Sequence, residues 1–115
     1  MSRSTNVING ILQREIKDLA IAASSSGQNA LIAAVPGYRI VVLAYTIVAA
    51  GAVTAQFESA TTDLTGAMSL AENGGASTPF NPYGHFATGV NEALNLTLGG
   101  AVAVAGHLNY YLEPA

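Results

Sequence analysis

Residues 37–59 read GYRIVVLAYTIVAAGAVTAQFES, and this stretch decides the fold. Branched and aromatic side chains dominate its first half, which favours a β-strand over a helix. Successive side chains of a strand point to opposite faces, and here both faces are apolar. One face holds Ile40, Val42, Ala44, Thr46 and Val48, and the other holds Val41, Leu43, Tyr45 and Ile47. A strand that is apolar on both faces is typically covered on both sides.

We predict a hairpin in this stretch, with a turn at Gly51 and a returning strand over residues 52–59. A domain of 115 residues has a single core, which can cover only one face of the long strand. We therefore expect the second cover to be another copy of the same chain.

The composition supports contacts between subunits. Half of the residues are hydrophobic and 10% are charged, against about 25% charged residues in typical domains.

A net charge of −3, without a basic stripe, argues against a nucleic-acid partner. The absence of cysteine excludes disulfides, thiol catalysis and cysteine metal sites, and it suits assembly in a reducing cytoplasm. Residues 40–57 carry no charge, but Gly51 and the lack of flanking basic clusters argue against a membrane span.

The first 17 residues differ from the rest of the chain, because they contain three of the four basic residues. Apolar residues recur there at roughly helical spacing. We predict an arm or a short amphipathic helix over residues 1–17, outside a domain formed by residues 18–115; a frayed terminus is the alternative. The residues of the arm expected to bind a partner are Arg3, Val7, Ile8, Ile11, Leu12 and Arg14.

From residue 18 onward, short strand patterns alternate with glycine-rich turns. This spacing predicts an all-β fold, an antiparallel jelly-roll sandwich of about eight strands. Gly99 and Gly100 predict a hairpin turn before a final strand over residues 101–112. The even positions of that strand should face the core. Its odd positions begin with three alanines and His107, which we interpret as a subunit contact rather than a plain solvent face.

No catalytic pattern is present. The chain lacks the nucleophile elbow, the zinc-protease helix motif and the phosphate-binding glycine loops. His107 could converge with its copies on a three-fold axis and bind a metal, or it could be an ordinary interface or surface histidine. Tyr83 and Phe86 could line a shallow sugar-binding surface, or they could plug the end of the sandwich. We expect neither enzymatic activity nor a cofactor.

Several turn and strand motifs resemble a family of small structural proteins of tailed phages. They are AASSSG at residues 22–27, TDLTG at 62–66, NGG at 73–75, FNP at 80–82 followed by Gly84 and Phe86, EALNL at 92–96 and GHLNY at 106–110. The resemblance covers residues 18–112. It is to capsid decoration (cement) proteins with a jelly-roll fold like that of tumour necrosis factor. Such proteins form trimers on the outside of the icosahedral head, at three-fold positions.

The resemblance implies a homotrimer that stabilises the shell of the major capsid protein, made in the bacterial cytoplasm and located on the virion. The expected trimer interface consists of Val41, Leu43, Tyr45, Ala101, Ala103, Ala105 and His107. A trimeric receptor- or glycan-binding head, like a fibre knob, is the alternative, because the fold alone does not separate the two functions.

Overall fold

The computed structural model describes the backbone of residues 5–9 and 12–115, and the side chains from residue 15 onward. The described part contains eleven strands and no helix, and therefore no helix that could cross a membrane. The strands are β1 Thr5–Asn9, β2 Leu12–Ala23, β3 Gly27–Ile32, β4 Tyr38–Ala49, β5 Val53–Ser59, β6 Thr62–Asp63, β7 Met68–Leu70, β8 Gly75–Ser77, β9 Phe86–Ala87, β10 Leu94–Leu98 and β11 Val104–Pro114.

The strands form two antiparallel sheets that pack face to face. The six-stranded sheet has the order β1-β2-β11-β4-β8, with β9 also on β4, and the five-stranded sheet has the order β3-β10-β5-β6, with β7 also on β5. The pairing is nested: β2 pairs with β11, β3 with β10, β4 with β8 and β9, and β5 with β6 and β7. This winding confirms the predicted antiparallel jelly-roll class. A jelly roll has eight strand positions. Here β6 and β7 share one position, β8 and β9 share another, and β1 is an additional strand, which gives eleven strands.

The predicted hairpin of residues 37–59 is wrong. Strands β4 and β5 follow each other in the chain but lie in different sheets. The amide of Ala50 donates instead to the carbonyl of Ala103, at 2.8 Å, and the short link carries the chain across the sandwich. The hairpin predicted at Gly99 and Gly100 is wrong for the same reason, because β10 and β11 also belong to opposite sheets. A short turn does not determine which sheet receives the next strand.

A β-bulge in β4 changes which of its side chains enter the core. Asn109 lies opposite Ala44 and Tyr110 opposite Val42, so that Leu43 has no partner. One extra residue moves all later side chains to the other face. The core therefore receives even positions before the bulge and odd positions after it, namely Ile40 and Val42, then Tyr45, Ile47 and Ala49. The predicted strict alternation of two uniform faces is wrong.

The second cover of β4 comes from the same chain. Val41 and Leu43 form a small cluster with Tyr111, against which Ile16 and Ala87 pack. Val41 is 5% exposed and Leu43 is 1% exposed in the single chain. The expectation that another copy covers these two residues is therefore wrong.

The described N-terminal residues are strands rather than a helix, because β1 pairs with β2 from Thr5 opposite Ile16 to Asn9 opposite Leu12. Strand β2 also runs across the boundary predicted after residue 17. Arg3 and Ile11 lie outside the described residues, as do the side chains of Val7, Ile8, Leu12 and Arg14.

The last strand follows its predicted pattern. Its even positions face the core, with Val104 and Leu108 buried and Val102, Tyr110 and Leu112 packed against them. The strand begins at Val104 rather than at residue 101. Because β11 lies between β2 and β4, its odd positions occupy the middle of the outer face of the larger sheet.

Candidate functional site

The outer face of the five-stranded sheet is polar and hydrogen-bonded. The Glu58 carboxylate accepts hydrogen bonds from Gln28 Nε2 at 2.9 Å and from Thr97 Oγ1 at 2.7 Å. These bonds, with that of Gln28 the largest contribution, lower the pKa of Glu58, because they stabilise the charged form. Such a face is typical of an antiparallel sheet that faces water on one side.

The outer face of the six-stranded sheet is different. Across its strands run two rows of side chains whose positions follow from the register of β2, β11, β4 and β8. The first row is Ala22, Ala105, Val48 and Gly75, and the second row is Ala20, His107, Thr46 and Ser77. We call these eight residues the small-residue face. None of them carries a carboxylate, an ammonium or a guanidinium group.

The small-residue face is open to solvent. Its alanines Ala20, Ala22 and Ala105 are exposed, and Val48 is 48% exposed, which is high for a large aliphatic side chain. A shallow depression of about 220 Å³ lies at the β4–β8 side and is lined by Thr46, Ile47, Val48, Gly75, Ala76 and Ser77. Apart from Val48 and His107, the side chains of this face are short, so another surface can approach the backbone of the sheet closely there.

His107 lies in the middle of this face. It is opposite Ala20 on one side and Thr46 on the other, and its imidazole is exposed. Within the described chain it forms no hydrogen bond and no ion pair. The nearest row toward the C-terminus of β11 contains Asn109, whose Nδ2 donates to the Asp18 carboxylate. Asp18, the only charged side chain among the described residues of the rows next to His107, thus has a hydrogen-bond partner of its own.

The predicted interface residues fall into two groups. Ala101, Ala103, Ala105 and His107 are all exposed, which leaves them free to contact another chain. Val41, Leu43 and Tyr45 are buried inside the single chain and offer no surface to a partner. The prediction that these three residues contact a partner is wrong, because Tyr45 lies in the core after the bulge and the same chain covers Val41 and Leu43.

Sequence reasoning missed the other strands of the small-residue face. Ala20, Ala22, Thr46, Val48 and Gly75 come from three strands that only the sheet topology places beside β11. One signal was available in the sequence. Ala20 and Ala22 occupy alternate positions of the sequence, as do the alanines that precede His107.

A second exposed feature is the loop after β8. Phe80 is 53% exposed and Tyr83 is 76% exposed. The loop is held along the edge of β4, because the Asn81 amide donates to the Leu43 carbonyl at 3.0 Å and the His85 amide to the Val42 carbonyl at 2.8 Å. Phe86, by contrast, is partly buried.

The predicted sugar-binding pair of Tyr83 and Phe86 is therefore not an exposed pair. The Phe86 ring packs against the core, with its centroid 5.3 Å from that of Phe57 and 6.1 Å from that of Tyr45. The exposed aromatic residues of this loop are Phe80 and Tyr83.

Among the residues with described side chains, no three histidines or carboxylates lie close enough together to hold a metal ion. A site shared by three copies of His107 stays a prediction. Comparisons with models of protein families, with curated proteins and with solved structures found no match to this chain.

Proposed function

We propose that the protein is a homotrimeric capsid decoration protein, which binds the outside of an icosahedral phage head near three-fold positions and stabilises the shell of the major capsid protein. The observation that carries this proposal is the small-residue face. An antiparallel sheet that faces water normally alternates apolar and polar residues, as the five-stranded sheet does. The small-residue face of the larger sheet instead exposes alanine, valine and glycine and carries no acidic or basic side chain other than His107, which suits a contact between subunits.

The resemblance of the turn motifs to phage decoration proteins suggests the major capsid protein as the partner. The jelly-roll fold is compatible with this function. A decoration protein needs a subunit contact and a capsid-facing surface, and it needs no active site. Its attachment at each contact can be weak, because a trimer engages several capsid sites at once and gains affinity from multivalency.

We assign attachment to the capsid to the N-terminal ribbon, defined as β1 together with residues 12–16 of β2. In the described chain, β1 pairs with β2 alone, and a two-stranded ribbon by itself is marginally stable at best. The sequence of residues 1–17 is basic, whereas the rest of the chain is acidic. A partner that covers the ribbon would therefore stabilise it.

The second candidate function is a trimeric glycan-binding head. It is favoured by one observation, the exposure of Phe80 and Tyr83 on a loop that is fixed to β4. Aromatic side chains held rigidly in water are suited to stacking against a flat ligand.

Two measurements test the proposal. Light scattering at micromolar concentration should give three times the subunit mass of 11.7 kDa, and the purified protein should sediment with phage heads that lack it. A monomer, or a trimer that stays in the supernatant, would contradict the proposal. Tyr83→Ala separates the two candidates: a decoration protein should keep its head binding, and a glycan-binding head should lose binding to immobilised host glycans.

A further inference from the structure

We propose that the N-terminal ribbon binds the capsid by strand addition, in which the free edge of β1 forms backbone hydrogen bonds with an exposed extended segment of the major capsid protein. This inference rests on the proposed function, because it takes the ribbon as the capsid-binding element. It adds the mode of recognition, the pairing of two backbones, and the class of partner, an extended segment flanked by acidic side chains.

β1 is the outermost strand of the six-stranded sheet. In the described chain it pairs with β2 on one side and with no strand on the other. It lies beside the part of β2 that has already left β11, since the β2–β11 ladder ends where Lys17 lies opposite Tyr110. A strand at the edge of a sheet presents a row of amides and carbonyls that can pair with another chain. In recognition by strand addition, such main-chain bonds provide the affinity.

The hydrogen bonds of the larger sheet fix the direction of the backbone groups in β2. The Ala50 amide donates to the Ala103 carbonyl, and the direction alternates along an antiparallel strand. The odd residues of β11 therefore bond with β4, and its even residues bond with β2. Because the even residues of β11 lie opposite odd residues of β2, the even residues of β2 direct their amides and carbonyls towards β1.

The register of the ribbon extends this result to β1. The even residues of β2 lie opposite Thr5, Val7 and Asn9, whose backbone groups are therefore used within the ribbon. Asn6 and Ile8 direct their amides and carbonyls to the free edge. These two residues offer donors and acceptors at alternate positions, as the ladder with a further antiparallel strand requires.

The other edges of the two sheets carry features that oppose strand addition. The strands β6, β7, β8 and β9 are only two or three residues long, and the register of β3 with β10 is irregular between Ala30 and Ile32. Short strands and bulges are two ways in which proteins prevent pairing at an edge. β1 has five residues in continuous register with β2, without proline or charge. Within the described chain, its edge is the one suited to pairing.

The sequence indicates the charge of the partner. Residues 1–17 contain three basic side chains and one acidic side chain, a net charge of +2, whereas residues 18–115 contain one basic and six acidic side chains, a net charge of −5. Arg3 precedes β1, and Arg14 lies opposite Val7 in β2. Acidic side chains beside the partner strand would complement these charges. Such complementarity steers the encounter and fixes the register more than it adds affinity.

Hydrogen exchange tests the backbone contact directly. The full-length protein is exchanged in heavy water while bound to phage heads that lack it, then dissociated and measured residue by residue. We expect the amides of Asn6 and Ile8 to exchange at least about tenfold more slowly on heads than in the free protein, because a ladder bond protects an amide. A ribbon held only by its side chains would slow the amides of Thr5, Val7 and Asn9 and leave those of Asn6 and Ile8 fast.

Two substitutions at Ile8 separate the backbone from the side chain. Ile8→Pro removes the outward amide, and an edge strand tolerates proline where the missing N–H faces away from the sheet. Ile8→Ala keeps the amide and removes most of the side chain. One backbone hydrogen bond corresponds to roughly threefold to tenfold in affinity. Because the three ribbons of a trimer bind together, Ile8→Pro should weaken head binding by about 30-fold to 1,000-fold, and Ile8→Ala should weaken it less.

The outcomes separate this inference from the proposed function. A protein that does not sediment with heads overturns the proposed function, and the inference with it. A protein that sediments while its Asn6 and Ile8 amides exchange as fast as in the free protein overturns the inference alone. Equal losses of head binding for Ile8→Pro and Ile8→Ala also overturn it. If Ile8→Pro lowers the oligomer mass in light scattering and keeps head binding, the edge pairs with another copy of this chain, and the inference is again overturned.

Discussion

At the scale of single residues, Gly106 shows how closely β11 and β4 approach. It lies opposite Ile47, and a β-carbon added at this position would overlap the carbonyl oxygen of Thr46. We expect Gly106→Ala to lower the free energy of unfolding by about 1–3 kcal/mol, because the strands must move apart to admit the methyl group. Urea unfolding at one fixed protein concentration measures the difference, since assembly makes stability depend on concentration.

Gly66→Ala is the matched control at this scale. An added β-carbon at Gly66 would meet no atom within 4 Å, and the backbone there does not require glycine. We expect a change of about 0.5 kcal/mol or less. If both variants lose the same stability, the loss reflects the removal of glycine as such, and the close approach of the two strands is not its cause.

At the scale of elements, β2 contains two ladders that do not overlap. Residues 12–16 pair with β1, and residues 17–23 pair with β11. Deleting residues 1–14 removes the first ladder and leaves the second in place. We expect the truncated protein to fold and to form a trimer, because the small-residue face is intact, and to lose its binding to phage heads. Light scattering and sedimentation with heads measure the two properties.

A charge variant shows which part of the ribbon provides the attachment. Exposed ion pairs contribute only about 0.2–1 kcal/mol each, so the double variant Arg3→Ala and Arg14→Ala should keep most of the head binding that the deletion abolishes. Full occupancy of heads by the truncated protein would show that the jelly roll attaches through another surface.

At the scale of the whole molecule, the two sheets of the sandwich differ in their outer faces, and we expect the small-residue face to be the one buried between subunits. Ala105→Glu places a carboxylate in the centre of the small-residue face. Burying it without a partner costs about 3 kcal/mol or more, so the trimer should dissociate at micromolar concentration while the subunit stays folded. Light scattering together with circular dichroism distinguishes dissociation from unfolding.

Ala30→Glu provides the same substitution on the opposite face. Ala30 is exposed on β3 and lies opposite Asn95, beside the polar network of Glu58. We expect this variant to remain a trimer. If Ala30→Glu dissociates the trimer and Ala105→Glu does not, the five-stranded sheet forms the subunit contact.

The residue types of the chain determined the fold class, because local preferences for strands and turns do not depend on distant contacts. Short strand patterns that alternate with glycine-rich turns predicted antiparallel strands. In β10 the leucines at alternate positions 94, 96 and 98 are buried. The alternation of the last strand likewise identified its core-facing positions and its exposed alanines.

Only the tertiary structure decided which strands are neighbours. A turn at Gly51 is compatible both with a hairpin and with a crossing between sheets, and the choice depends on the nested pairing of distant strands. The bulge at Leu43 arises between β4 and β11, where Ala44 lies opposite Asn109, a residue 65 positions further along the chain. It places Tyr45 and Ile47 in the core. The small-residue face likewise comes from four strands that are distant in the chain. A period-two pattern describes one strand, whereas a surface is formed by several strands in register.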